Sequence, residues 1–154
     1  MVTRQRGMTL PELLSAMCVV AIVLAAAVPS FAAMFTRLRV QGASAEFGTD
    51  LQYARSEAIR QHLPVSMDTN AAGDGYAITV NGEALKTVTL PPGVTVTAST
   101  SVAYDAMRAL AQPADQAFVF AASDDSVQLR VSSNVMGRAQ LCVLAGSVPG
   151  YSAC

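Results

Sequence analysis

Gly7-Met8-Thr9-Leu10-Pro11-Glu12-Leu13-Leu14 opens the segment on which the reading of this chain turns. Residues 13–36 follow as 24 positions without a charge. At ~1.5 Å rise per residue they make a helix of roughly 36 Å, enough to cross a hydrocarbon core of ~30 Å. Arg4 and Arg6 lie upstream, with no acid before Glu12. The positive-inside rule then keeps the short N-terminal tail in the cytoplasm and delivers the rest across the membrane. An ordinary secretory signal reads the same residues differently, with 13–24 as its apolar stretch and Ala25-Ala26-Ala27 as the cleavage site. Two features weigh against that reading. Glu12 sits at the mouth of the apolar stretch, where such a signal gains nothing from an acid. Beyond Pro29 the chain also continues as a patterned helix instead of starting a new fold.

Glu12 needs a physical account, because a carboxylate in the apolar phase costs ~2.5–3.5 kcal/mol. Either it stays hydrated at headgroup level, or it waits for a cationic partner. The string 7–14 resembles the class III signal of type IV prepilins and type II secretion pseudopilins. That resemblance implies a cut by a prepilin peptidase after Gly7 and methylation of the new N-terminal Met8. The usual first residue there is Phe, so Met8 departs from the pattern. It further implies that Glu12, one helical turn past the new amine, meets the N-terminal amine of a neighbouring subunit during filament assembly. Opposite charges in a low dielectric relieve each other's burial penalty. Pro29 falls where such proteins carry a helix-kinking proline, whose ring removes one i→i−4 bond.

From 37 to 60 the apolar positions Val40, Ala43, Phe47, Leu51, Ala54 and Ala58 step by three or four, a stripe along one helical face. Arg39, Glu46, Asp50, Arg55 and Glu57 fall mainly off it, and Pro64 is expected to end the element. Gly42 and Gly48 mark bends, close subunit contacts or plain tolerance. The run 51–60, with Ala54-Arg55-Ser56-Glu57-Ala58-Ile59 at its heart, resembles a segment of the FimT/GspH family of minor pseudopilins. Arg55 and Glu57 are two apart and do not face each other. They belong to a solvated polar face or touch a neighbouring subunit.

After Pro64 the punctuation becomes that of β-structure. Strands are expected at 65–68, 76–80, 84–90, 94–98, 117–121, 127–132 and 139–144, with Asn81-Gly82 the strongest hairpin signal. Residues 99–115 read as a loop with one helical turn. The expected fold is α+β and pilin-like: a long N-terminal helix, transmembrane then amphipathic, packed on an antiparallel β-sheet. The expected divisions are a leader at 1–7, a transmembrane and assembly helix at 8–36, and a periplasmic globular domain at 37–154. The chain would be a single-pass inner-membrane protein, N-terminus cytoplasmic, before it joins a periplasmic pseudopilus or pilus. Its partners would be other pilins or pseudopilins, the prepilin peptidase, the inner-membrane assembly platform and the lipid bilayer. In the oxidising compartment this implies, Cys142 and Cys154 either form a bridge worth roughly 3 kcal/mol or stay as two thiols. Cys18 reads as a small hydrophobe.

Composition narrows the chemistry. Of 154 residues 52% are hydrophobic and 14% charged, which speaks against extended disorder. Ten Lys and Arg against eleven Asp and Glu exclude a strongly basic nucleic-acid coat. A lone His62 and three cysteines without C-x-x-C leave no zinc finger or His-rich metal site. Gly73-x-Gly75 lacks the third glycine of a dinucleotide fingerprint, and neither a P-loop nor a G-x-S-x-G elbow is present. No enzyme and no cofactor are expected. Some FimT-type proteins resemble DNA receptors with a basic Gly-Arg-x-Arg stretch. Here Gly137-Arg138-Ala139-Gln140 keeps one arginine, so Arg138 is the candidate DNA contact, with Arg130 or Lys86 as its nearest help. Residues 37–154 carry eight cations and ten acids, a poor balance for phosphate binding.

Overall fold

A computed structural model describes residues 9–98 and 101–154. Among the described residues one helix, α1 (Leu10–Gln61), precedes nine strands. These are β1 (Val65–Thr69), β2 (Gly75–Val80), β3 (Glu83–Thr89), β4 (Val94–Ala98), β5 (Val102–Tyr104), β6 (Ala111–Gln112), β7 (Gln116–Ala122), β8 (Gln128–Ser133) and β9 (Ala139–Ala145). The chain divides into two compact units, one up to Phe35 and one from Thr36 to Cys154.

In the first unit α1 is long and apolar enough to span a membrane, and Leu13, Met17, Val20 and Leu24 are all exposed. The helix runs through Pro29 and through both glycines. Gly48 faces β9, where a Cβ would meet Leu141 Cδ1 at 3.4 Å, while one at Gly42 would meet nothing. The helix stops at Gln61, three residues before Pro64. His62 follows with φ 54°, the left-handed conformation that turns the chain off a helix C-terminus. His62 is therefore the first residue after the helix.

The second unit holds the core. All six stripe residues are buried. Sequence led us to expect one sheet under the stripe; the structure has two, ordered β3-β2-β1-β5-β6 and β4-β7-β8-β9. The switch follows the Pro91-Pro92-Gly93 turn, after which β4 pairs with β7 instead of β3. Phe47 joins the layers. Its ring lies 4.8 Å from that of Tyr76 on β2 and 4.6 and 5.2 Å from those of Phe118 and Phe120 on β7. Asn81-Gly82 makes the expected tight turn, with both φ positive at 51° and 84°. The region 99–115 corrects the sequence reading in part. Residues 99 and 100 lie outside the described residues, but β5 and β6 form a hairpin on the edge of the first sheet. Its loop does contain one helical turn, the Ala109 N–H donating to Asp105 C=O at 2.9 Å.

Candidate functional site

The start of α1 is built as a cap. Thr9 C=O accepts from the N–H groups of Glu12 and Leu13, each at 3.1 Å. The Thr9 N–H points back at Glu12 Oε2 at a long 3.5 Å, one half of a capping box. Glu12 is exposed, and the only partner its carboxylate has among the described residues is this weak backbone donor. Gly7 and Met8 lie outside the described residues. Pro29 lies inside the helix, and Cys18 is exposed on it as a free thiol.

The other end of the chain is tied down. Cys142 and Cys154 form a disulfide across 5.0 Å between their Cα atoms. The bridge lays the C-terminal segment parallel to β9, where the Val143 N–H donates to Ser152 C=O at 2.9 Å and the Cys154 N–H to Val143 C=O at 3.1 Å. The free edge of the second sheet is thus partly paired, which protects it from joining another chain.

Two carboxylates assigned to a polar face turn inward. Asp50 is buried, and both its oxygens lie 2.7 Å from Lys86 Nζ. The Tyr76 hydroxyl donates to Asp50 Oδ2, also at 2.7 Å. Its own hydrogen bonding to Asp50 raises Lys86 above the usual lysine range. Burial first, and Asp50 second, push the Tyr76 phenol up. Glu57 is buried too, gripped by Arg60 at 2.6 Å and Gln61 at 2.8 Å, and the Arg60 hydrogen bond holds its carboxyl below the usual range. The spacing could have revealed both acids. Asp50 is three past Phe47 and four before Ala54, and Glu57 is seven past Asp50, so they flank the stripe on one side.

Arg55 differs again. It is half-buried, and its Nε donates to Ala109 C=O at 3.3 Å. Arg138 is exposed on the β8–β9 turn, its own N–H accepted by Asn134 Oδ1 at 2.9 Å. Gly137 beside it has φ 70°, and a Cβ there would come within 2.8 Å of the Tyr104 ring. Arg138 gains no help from Lys86, which is committed to Asp50. Arg130 stands on the outer face of β8, opposite Cys142. Among the described residues no three His, Cys, Asp or Glu side chains gather as metal ligands would.

Comparisons with known proteins place this geometry. The pattern of the family described as type II transport protein GspH matches residues 43–137. The prokaryotic N-terminal methylation motif matches residues 2–28. No curated protein matches the chain. Among solved structures, the type IV minor pilin FimU of Pseudomonas aeruginosa superposes with a TM-score of 0.56 at 24% identity, over 68% of this chain and 89% of that one. The minor pseudopilin EpsH from the type 2 secretion system of Vibrio cholerae superposes with a TM-score of 0.54 at 14% identity, over 73% of this chain and 98% of that one. Both likenesses establish the pilin fold.

Proposed function

The chain belongs to the GspH family of minor pseudopilins, subunits of type II secretion or type IV pilus filaments, and on that premise we propose how it is processed and assembled. The prepilin peptidase removes residues 1–7 and the new N-terminal Met8 is methylated. Residues 8–36 hold the subunit in the inner membrane, with the domain from 37 onward in the periplasm. The assembly platform then draws α1 into the filament, where Pro29 accommodates the curvature of the helix bundle. The subunit takes a place near the tip of a type II secretion pseudopilus or a type IV pilus.

One observation carries this reading: a single carboxylate, Glu12, heads a helix that is otherwise uncharged to Thr36, and among the described residues its carboxylate meets a 3.5 Å backbone contact. Leaving the headgroup region costs that carboxylate ~2.5–3.5 kcal/mol unless a cation meets it. The methylated amine of a neighbour supplies the cation, so the pairing selects and registers the next subunit. Glu12→Ala should insert in the membrane normally and enter filaments poorly, read by crosslinking to neighbouring subunits. Undiminished incorporation would remove the role given to Glu12. The work of the molecule is then assembly, with the domain supplying side contacts to its neighbours.

A further inference from the structure

The uncharged part of α1 ends at a pocket. With Leu13 at the inner edge of a ~30 Å hydrocarbon core, the 24 uncharged residues reach ~6 Å past the outer edge, where the headgroup layer is ~5–7 Å thick. Thr36 therefore stands at headgroup level, and Arg39 lies ~4.5 Å further along the helix. Both residues, with Pro92 and Gly93 of the β3–β4 turn and Ser123 and Asp124 of the β7–β8 turn, line a pocket of about 160 Å³. The Ser123 N–H donates to Gly93 C=O at 2.9 Å and joins the two turns. Sites for drug-sized ligands hold ~300–1,000 Å³, so this one suits a group of few atoms.

Arg39 and Asp124 are the charged residues of its lining, opposite in sign, yet among the described residues they form no ion pair. Each is held elsewhere. The Arg39 guanidinium donates to Pro92 C=O at 3.3 Å, which leaves most of its five donors for an anion. Asp124 Oδ1 accepts from the Ser126 hydroxyl at 2.7 Å and from the Ser126 N–H at 3.2 Å, and the hydroxyl bond holds the carboxyl below its usual range, so it stays charged. The surroundings lean acidic. Arg37 is exposed before Arg39, Asp125 is exposed beside Asp124, and the exposed Asp74 belongs to the same end because its C=O accepts the Leu90 N–H at 2.8 Å. Two cations against three acids make no field that gathers phosphate or nucleic acid alone. A ligand that carries both charges matches the two walls.

We propose that this pocket takes the phosphoethanolamine headgroup of a lipid in the periplasmic leaflet, with the phosphate on Arg39 and the ammonium on Asp124. Both contacts are charge-assisted hydrogen bonds. An ethylene bridge joins the two charges of the headgroup, so one lipid reaches both walls. Phosphatidylcholine has the same charges, but its quaternary ammonium carries no N–H to donate to Asp124. Phosphatidylglycerol has no cation. The bound headgroup gives the domain a second hold on the bilayer beside α1, released when the subunit is drawn into a filament. The proposal rests on the membrane reading of α1 and adds to it which lipid the domain grips.

The test uses the full chain in nanodiscs of phosphatidylcholine that carry equal minor fractions of phosphatidylethanolamine and phosphatidylglycerol. Native mass spectrometry reads which lipid stays on the chain as the disc is stripped. Phosphatidylethanolamine should be retained about tenfold over either of the others, after correction for abundance. Asp124→Asn keeps an acceptor for Ser126 but removes the charge, and should abolish the preference over phosphatidylcholine. Arg39→Gln should lose the retained lipid, and Arg39→Lys should restore part of it. Asp125→Asn, beside the pocket, should change nothing. Hydrogen exchange of the Ser123 amide should slow with phosphatidylethanolamine, and unchanged exchange in the strands shows that each variant is folded. Equal retention of the three lipids overturns the proposal. So does a preference for phosphatidylglycerol, or one for phosphatidylethanolamine that survives both Asp124→Asn and Arg39→Gln. Soluble phosphoethanolamine that slows Ser123 exchange as well as the lipid does gives the pocket to a free solute and overturns it too. A chain that does not enter nanodiscs sinks the membrane reading itself, an outcome distinct from the others.

Discussion

Replacing Phe47 by alanine tests whether one side chain welds both sheets to the helix. Phe47 is wholly buried and touches one ring of the first sheet and two of the second. A buried Phe→Ala change costs ~3–5 kcal/mol, from lost transfer energy and the cavity left behind. The three ring contacts place Phe47→Ala in the upper part of that range, since each aromatic pair adds ~0.5–1.5 kcal/mol beyond its burial. Against a total stability of ~5–15 kcal/mol, this is a large share. The melting temperature of the domain from residue 36 should fall by roughly 10–20 °C. The chain has no tryptophan, so urea unfolding followed by far-UV circular dichroism is the suitable assay. The midpoint should move with an unchanged slope, because the exposed surface hardly changes. Tyr53→Ala, on the same helix but 38% exposed, should stay within ~0.5 kcal/mol. A Phe47→Ala loss below ~1 kcal/mol would refute the idea that this residue bridges the layers.

Cys154→Ser should cost roughly 3 kcal/mol by the loop-closure estimate and expose the Val143 amide to hydrogen exchange, since its acceptor Ser152 is then untethered; unchanged protection at Val143 would count against the strap. Acid should weaken the domain through Glu57, whose lowered folded value makes its contribution complete above its ordinary 4.5 and lost as pH falls through the folded value. Glu57→Gln should flatten that acid limb in urea midpoints measured across pH. Alkali should act through Lys86 and Tyr76, both raised on folding, whose contributions are complete below 10.5 and 10.0 and decline as pH rises through the folded values. Tyr76→Phe should reduce that alkaline loss, and an unchanged profile would remove Tyr76 from the account.

Local patterns carried much of the fold. The stripe from Val40 to Ala58 marked the buried face because helical periodicity and burial coincide there. Asn81-Gly82 fixed its hairpin because few other pairs accept two positive φ values. The division into two sheets was not legible, because strand pairing depends on distant partners such as β4 with β7, which no local spacing records. β5 and β6 were missed because strands of three and two residues leave no alternation to read. Asp50 and Glu57 were misplaced because charge was weighed before position: Lys86, Arg60 and Tyr76 make their burial tolerable, and two of those three lie outside the helix. The disulfide was one of two open readings, and the parallel seating of 152–154 on β9 was beyond sequence altogether.

The central claim is that the apolar helix survives maturation and becomes the assembling part of the subunit. Intact mass of the processed chain tests it most directly. The account predicts a product beginning at Met8, carrying one added methyl group and retaining the whole of α1. A product beginning at Val28, soluble and without that helix, would contradict it.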